Sequence, residues 1–263
     1  MAEAIKARRL DYNYPDKTVG FQNINLDVAK GETVIVIGAN GTGKSTLLLN
    51  LMGILHGQGE IEILGNVLNN KNLKAIRRGM GLVFQNPDDQ LFCPTVLDDV
   101  AFGPINLGWE KDVVLRESRN ALALVRMEKF ESRPSHRLSF GEKKRVAIAT
   151  LLSMKPQILL LDEPTGGLDP RSCTELIEIL YALKEQGKTI FATSHDLHLV
   201  TEIADRVCVF SEEKTIVADG PFRKILSDHE LLLKNNLIHR HRHRHERFVD
   251  EHEHAHLHEH DHD

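Results

Sequence analysis

The amino-acid sequence predicts an α/β protein built on a mainly parallel sheet, and three stretches carry that prediction. An apolar, β-branched run, Thr33-Val-Ile-Val-Ile37, stops at a glycine-rich segment and passes into Ser45-Thr-Leu-Leu-Leu-Asn-Leu-Met52, which has helical character. Strand, glycine loop and helix together open a βα unit. Strand-like and helix-like segments then alternate from Gln157 to Ala204, the pattern of a parallel sheet with helices on both faces. Between these parts, from about residue 86 to 154, strand signals give way to helical ones, which marks a helical insertion.

In chain order, Ala4–Leu10 is a candidate strand, Tyr12-Asn-Tyr-Pro-Asp16 a turn, and Phe21–Val28 alternates apolar and polar residues as a half-buried strand does. Thr33–Ile37 has the apolar character of a strand buried on both faces. Within the insertion, Val113–Arg126 and Glu142–Leu152 suit helices. Gln157–Leu161 (strand), Arg171–Glu185 (helix), Thr189–Ala192 (strand) and Leu197–Ala204 (helix) follow, and Arg206–Phe210 with Thr215–Val217 read as a closing hairpin. From His239 the chain becomes HRHRHRHERFVDEHEHAHLHEHDHD, which holds ten of the fifteen histidines and almost nothing able to pack a core. Residues 1–238 are therefore expected to form the folded domain and 239–263 a disordered tail.

Composition narrows the function. A chain of 263 residues, 41% hydrophobic and 27% charged, can bury a core of its own. The net charge is −5, of which the tail carries −3, and that balance argues against nucleic acid as a partner. Three widely spaced cysteines form neither a disulfide framework nor a C-x-x-C pattern, pointing to a reducing cytosol. The start, MAEAIKARRL, has no secretory h-region, and the apolar stretches are strand-sized, far short of the ~20 residues of a membrane helix. Service to a membrane would be as a peripheral subunit on its cytoplasmic face.

Gly38-Ala-Asn-Gly-Thr-Gly-Lys-Ser45 matches G-x-x-x-x-G-K-[ST] between a strand and a helix. Gly38, Gly41 and Gly43 let main-chain N–H groups face a phosphate, and the new helix points its positive end at the same place. Lys44 carries a charge suited to β- and γ-phosphates, and the Ser45 hydroxyl can ligate magnesium. Asn40 and Thr46 complete the phosphate-binding stretch. Ile158-Leu-Leu-Leu-Asp-Glu163 ends a buried strand in two adjacent carboxylates, which repel unless neutralised, as magnesium-nucleotide would do. Asp162 is then the magnesium acid and Glu163 the group that polarises water.

The order of phosphate loop, Gln85, Leu138-Ser-Phe-Gly-Glu142, Leu160-Leu-Asp-Glu-Pro164, Gly167-Leu-Asp169 and His195 resembles the nucleotide-binding subunits of ATP-binding-cassette transporters over nearly all of residues 5–225. The resemblance implies a phosphate-loop NTPase fold of that type, with a mainly parallel sheet core, an antiparallel β subdomain and a helical subdomain. It implies ATP hydrolysis with Mg2+, coupled to transport. Tyr14 corresponds to the aromatic that stacks on adenine, with Tyr12 a weaker candidate. Gln85 corresponds to the glutamine linking magnesium and water to the transporter-facing surface. Ser139 and Gly141 correspond to residues that contact the γ-phosphate held by an opposite subunit, Asp169 to the dimer seam and His195 to a γ-phosphate contact. A second ATPase subunit, identical or paralogous, is thus implied. Phe140 and Glu142 depart from the commonest signature, Leu-Ser-Gly-Gly-Gln.

Rival readings meet specific obstacles. A GTPase metallochaperone needs Asn-Lys-x-Asp, whereas Asn70-Lys71 is followed by Asn72 and Leu73. DNA-repair and translation cassettes carry coiled-coil insertions or a second cassette, and a degenerate cassette would lack Glu163 or His195. Asn86–Pro104 and Ser139–Ala149 are further similar to the ATPases of energy-coupling-factor importers, especially the cobalt and nickel branch. That similarity implies an integral membrane scaffold and a substrate-binding subunit as partners. In the tail, His239, His241, His243 and His245 alternate on one side of an extended segment. With His252, His254, His256, His258, His260 and His262 they are candidate ligands for Ni2+ or Co2+; incidental metal stickiness and pH-dependent solvation are the other readings of the same pattern.

Overall fold

The computed structural model describes residues 2–238, and the backbone of 240–245 and 248–253. Strands β1 (Glu3–Asn13), β2 (Val19–Ala29) and β3 (Thr33–Ile37) lead into helix α1 (Lys44–Leu51). Then come β4 (Gln58–Ile63), β5 (Asn66–Val67), α2 (Leu73–Gly79) and β6 (Met80–Val83). The insertion holds α3 (Val96–Asn106), α4 (Lys111–Leu124) and α5 (Phe140–Leu152). After it follow β7 (Ile158–Asp162), α6 (Pro170–Glu185), β8 (Thr189–Ser194), α7 (Leu197–Ile203), β9 (Arg206–Phe210), β10 (Ile216–Pro221), α8 (Phe222–Leu226) and α9 (His229–Lys234). Beyond residue 239, β11 (Arg240–His245) pairs with β12 (Phe248–Glu253).

The central sheet has the order β10-β9-β3-β8-β7-β6 and is parallel except for β10. A second, antiparallel sheet has the order β2-β1-β4-β5. Alternate residues of the parallel strands enter different cores, which is why those strands are apolar throughout. Ile35, Ile37, Leu159, Leu161, Ile190 and Val207 pack with α5, α6 and α7. Val34, Val36, Leu160, Phe191 and Phe210 pack with α1 and the antiparallel sheet. Helix α1 is thus held between two sheets, and Leu47, Leu48 and Leu51 are fully buried. That burial offsets the missing side-chain cap at its first residue.

The structure corrects several boundaries. β1 runs on through Tyr12 and Asn13, with register shifts along the pairing to β2, so the turn falls at 14–18. There the Asp16 carboxylate accepts the Thr18 N–H at 2.9 Å. β6 is an edge strand of four buried residues, too short and too glycine-containing to show period-2 alternation. α3 is a further helix that the insertion's sequence did not signal; Thr95 caps it, and Pro104 sits near its end. The closing hairpin of β9 and β10 is present. In the tail, the β11–β12 backbone register sets Arg240 opposite Glu253 and Arg242 opposite Glu251.

Candidate active site

Four neighbouring parallel strands, β3, β8, β7 and β6, end at one edge of the central sheet. Their next residues are the Gly38–Ser45 loop, His195, Glu163 and, one position beyond Phe84, Gln85. Parallel strands present their carboxyl ends together, so segments far apart in sequence meet there. Gly43 has φ +108°, and a Cβ on it would lie 2.1 Å from the Gly20 carbonyl oxygen. Only glycine lets the loop pass so close to β2. Lys44 Nζ donates to the carbonyl oxygens of Gly38 (2.7 Å) and Ala39 (3.1 Å) and lies 3.6 Å from Glu163 Oε1.

The two adjacent acids face different partners. Ser45 Oγ donates to Asp162 Oδ1 at 3.0 Å, and Thr193 Oγ1 donates to the same oxygen at 2.6 Å. Glu163 turns away from that cluster. Its Oε2 accepts the His195 main-chain N–H at 3.2 Å and lies 2.8 Å from His195 Nδ1. Its Oε1 is buried and makes no hydrogen bond. Burial would raise the Glu163 pKa, but the hydrogen bond and charge of His195, and then Lys44, overcome it and hold the carboxyl below its ordinary range. The bond to Glu163 raises the pKa of His195. Burial lowers that of Lys44, against the opposing pull of Glu163.

These groups border a cleft of about 330 Å³ lined by Tyr14, Gly20, Asn40, Gly41, Gly43, Lys44, Ser45, Thr46, Gln85, Glu163 and Lys214. Tyr14 is partly exposed on its rim, with its hydroxyl 2.7 Å from Thr46 Oγ1. Gly38, Asp162 and His195 are hydrogen-bonded to the lining residues Lys44, Ser45 and Glu163. Sequence reasoning missed Gly20, Lys214 and Thr193. The first two come from β2 and from the turn between β9 and β10, and neither belongs to a motif. Thr193 stands two residues before His195 in Thr-Ser-His-Asp, and that place was the available signal.

Ser139, Gly141 and Asp169 are not among the lining residues. They form a separate edge where α5 and α6 begin. Ser139 caps α5: its Oγ accepts the Glu142 N–H, while Glu142 Oε2 accepts the Ser139 N–H at 2.7 Å. Glu142 is therefore half of a capping box. Asp169 caps α6 through the Ser172 N–H at 3.0 Å and accepts the Ser172 hydroxyl at 2.6 Å. The two helix starts are adjacent, since a Cβ on Gly141 would lie 2.7 Å from Ser172 Oγ.

A phosphate cradle, a hydroxyl and carboxylate that are both hard oxygen ligands, and an orphaned buried carboxylate oxygen fit magnesium-ATP. Of the tail histidines, His239, His254, His256, His258, His260 and His262 lie outside the described residues. His241, His243, His245 and His252 lie on the β11–β12 backbone, His241 facing His252 in register. Among the described residues, no cluster of three or more His, Cys, Asp or Glu could hold a metal.

The sequence model of the ABC transporter family matches residues 21–166. The energy-coupling factor transporter ATP-binding protein EcfA of Methanocaldococcus jannaschii is 47% identical over 236 residues, covering 89% of this chain and 84% of that protein. EcfA of Methanococcus maripaludis is 46% identical over the same coverage. The structure of cbiO1 from Clostridium perfringens, part of the ABC transporter complex cbiONQ, superposes with a TM-score of 0.79 at 37% identity, covering 90% of this chain and 96% of that one. The ABC transporter cassette MJ0796, solved as a dimer, gives a TM-score of 0.74 at 27% identity, covering 83% and 99%. Motif order, strand-end geometry and these likenesses agree: the chain belongs to the ABC transporter family and is an ATPase of that family.

Proposed function

We propose that this ATPase powers an energy-coupling-factor importer, as a peripheral subunit on the cytoplasmic face of the membrane, and that its cargo is cobalt or nickel. The observation that carries the catalytic part is Glu163 Oε1, a buried carboxylate oxygen left without a hydrogen-bond partner at the cleft. An attacking water is the donor such an oxygen lacks. In this reading Lys44 exchanges its loop carbonyls for the β- and γ-phosphates, the Gly38–Thr46 N–H groups cradle them, and Tyr14 offers its face to adenine. Ser45, Asp162 and Gln85 would hold magnesium, which when bound offsets phosphate charge. Glu163 accepts the water's proton at Oε1, and His195, held through Nδ1, keeps Nε2 for the γ-phosphate.

The chain works in a pair. Ser139 and Gly141 stand outside their own cleft, and a head-to-tail partner would bring a second copy of them onto the γ-phosphate. The dimeric MJ0796 cassette supports this arrangement; the partner here is a second copy or a paralogue. ATP should drive the Glu163→Gln chain into a dimer on size-exclusion chromatography. Adding Ser139→Arg should abolish the dimer but leave nucleotide binding to the monomer. A Ser139→Arg chain that hydrolyses ATP at the normal rate would remove the paired site.

The import reading rests on the EcfA likeness over 89% of the chain. Among the described residues no helix is long and apolar enough to cross a membrane, so membrane scaffold and substrate-binding subunits would supply the path. Exposed Phe92 and Phe102, stacked edge to face at 5.0 Å in the helical insertion just past Gln85, suit such a contact. The tail's ten histidines support a role in binding the transported ion, Ni2+ or Co2+. Purified with its membrane subunits and reconstituted, the complex should take up radiolabelled cobalt or nickel on ATP addition. Deleting 239–263 should shift the metal dependence of uptake and spare basal ATPase. Uptake of neither ion would end the cargo assignment.

A further inference from the structure

Lys144, in the second turn of α5, is only 1% exposed. Its Nζ lies 5.7 Å from the centre of the Phe140 ring and donates to the main-chain oxygen of Glu163 at 2.9 Å. Among the described residues that is its one hydrogen bond, and no carboxylate lies within ion-pair distance. Burial pushes the ammonium pKa down to about 8, against the pull of Asp162 and Glu163. A methionine would fill much the same space without desolvating a charge. The lysine is therefore better explained by what it holds than by the volume it fills.

What it holds is a residue in a disfavoured conformation. Glu163 has φ +44°, a left-handed backbone that a side chain with a Cβ rarely adopts. Glycine would relieve the strain but would remove the carboxylate. The conformation persists because both ends of the residue are pinned. Its N–H faces the Thr193 carbonyl oxygen at 3.2 Å and Thr193 Oγ1 at 3.1 Å. Its carbonyl oxygen accepts the Gly166 N–H at 3.1 Å and the Lys144 ammonium. Thr193 lies on the neighbouring strand and Gly166 on the same loop. Lys144 alone reaches in from α5, the helix that Ser139 caps.

We propose that Lys144 is a positioning residue for ATP hydrolysis: by gripping the Glu163 carbonyl it fixes the aim of the Glu163 carboxylate and makes that aim depend on how α5 is seated. The inference rests on Glu163 acting as the base for water. It links the signature end of one chain to the hydrolytic group of that same chain, through one bond between the helical insertion and the sheet.

The test compares Lys144→Met, Lys144→Gln and Glu163→Gln in the full-length chain, with steady-state ATPase, equilibrium magnesium-ATP binding and thermal melting. Small displacements of a reacting group cost orders of magnitude in rate, so Lys144→Met should lower kcat at least about tenfold, with Kd held within about twofold. Lys144→Gln, whose amide still donates, should recover most of that loss. If the methionine variant does not fold, Lys144→Asn, polar but too short to reach the carbonyl, supplies the contrast with glutamine. A methionine or asparagine variant at the normal kcat overturns the proposal. So does a glutamine variant no better than methionine, or a loss of binding that parallels the loss of rate. If Glu163→Gln itself still hydrolyses ATP, it is the reading of Glu163 that fails.

Discussion

The cleft and the signature edge are finished to different degrees. In the cleft, Lys44, Ser45, Asp162, Glu163, Thr193 and His195 are joined in one network at the ends of parallel strands. Those ends are fixed by ladder bonds and by buried cores on both faces of the sheet. At the edge, Ser139 and Asp169 are satisfied within their own helix starts, by Glu142 and Ser172. A side-chain cap contributes only about 1 kcal/mol, so that edge can rearrange at low cost while the cleft cannot. An anion landing on the start of α5 must compete with Glu142 for the Ser139 N–H. A prebuilt cleft facing a self-capped edge is the division expected if ATP binds one chain first and recruits the other afterwards.

The same chemical change, carboxylate to amide, separates the two regions most sharply. Glu163→Gln removes the acceptor proposed for the attacking water, and general-base loss typically costs 10²–10⁴ in rate. Steady-state ATPase should fall at least about 100-fold while ATP is still bound. Glu142→Gln should leave melting within about 0.5 kcal/mol, because glutamine serves equally at the third position of a capping box. Comparable losses of rate from both substitutions would mean that the cleft and the signature edge do not differ in this way.

Thr193 tests whether the cleft is one network or a set of separate bonds. Its buried hydroxyl donates to Asp162 and accepts the Glu163 N–H. Thr193→Val keeps the shape and removes both contacts, so the cost should be about 1–3 kcal/mol of stability. In a chain of this size that lowers the melting temperature by roughly 2–4 °C per kcal/mol. An unchanged melting curve would mean that the two acids need no shared anchor.

Much of the cleft was legible because phosphate chemistry demands particular residue types at fixed spacing. Gly38–Ser45, Asp162 and Glu163 could be assigned from their own sequence context, and Gln85 and His195 from motif order. What stayed illegible was set by packing across sequence. β6 is four buried residues whose place depends on pairing with Ile158–Leu161. Lys144 sits in a run of three basic residues, Lys143-Lys-Arg145, and nothing local says that its side chain turns inward while Lys143 meets Asp88. Glu142 could be read either as a charge opposing phosphate or as a cap; only the geometry of the Ser139 N–H decides in favour of the cap. Motifs announce chemistry, whereas a residue that serves another residue carries no motif.

A smaller effect is expected when the edge loses the Glu142 half of its capping box. Glu142→Ala leaves the Ser139 N–H without the carboxylate and should cost about 1 kcal/mol. In the proposed pair the same variant frees that N–H for an incoming γ-phosphate, so ATP-dependent dimerisation should hold or improve as stability drops. A parallel loss of both would mean that the capping box shapes the contact surface instead of competing for it.

The smallest effect concerns the pair of His195 and Glu163, which borders the cleft and is open to water on the histidine side, with 46% of that side chain exposed. Solvent screening keeps such a pair weak, so its signature is the direction of a pH dependence. The folded-state pKa of His195 is raised above 6.5 by its bond to Glu163. A group so shifted contributes stability that is fully present below 6.5 and is lost as pH rises through the higher, folded value. Glu163 remains charged in that range, since its own folded pKa lies below 4.5. The melting-temperature gap between the wild-type chain and His195→Gln should therefore be widest between these two limits and close as the solution turns alkaline. A gap that widened with pH would mean that the imidazole binds Glu163 in its neutral form, and Glu163 would then have to keep its charge on Lys44 alone.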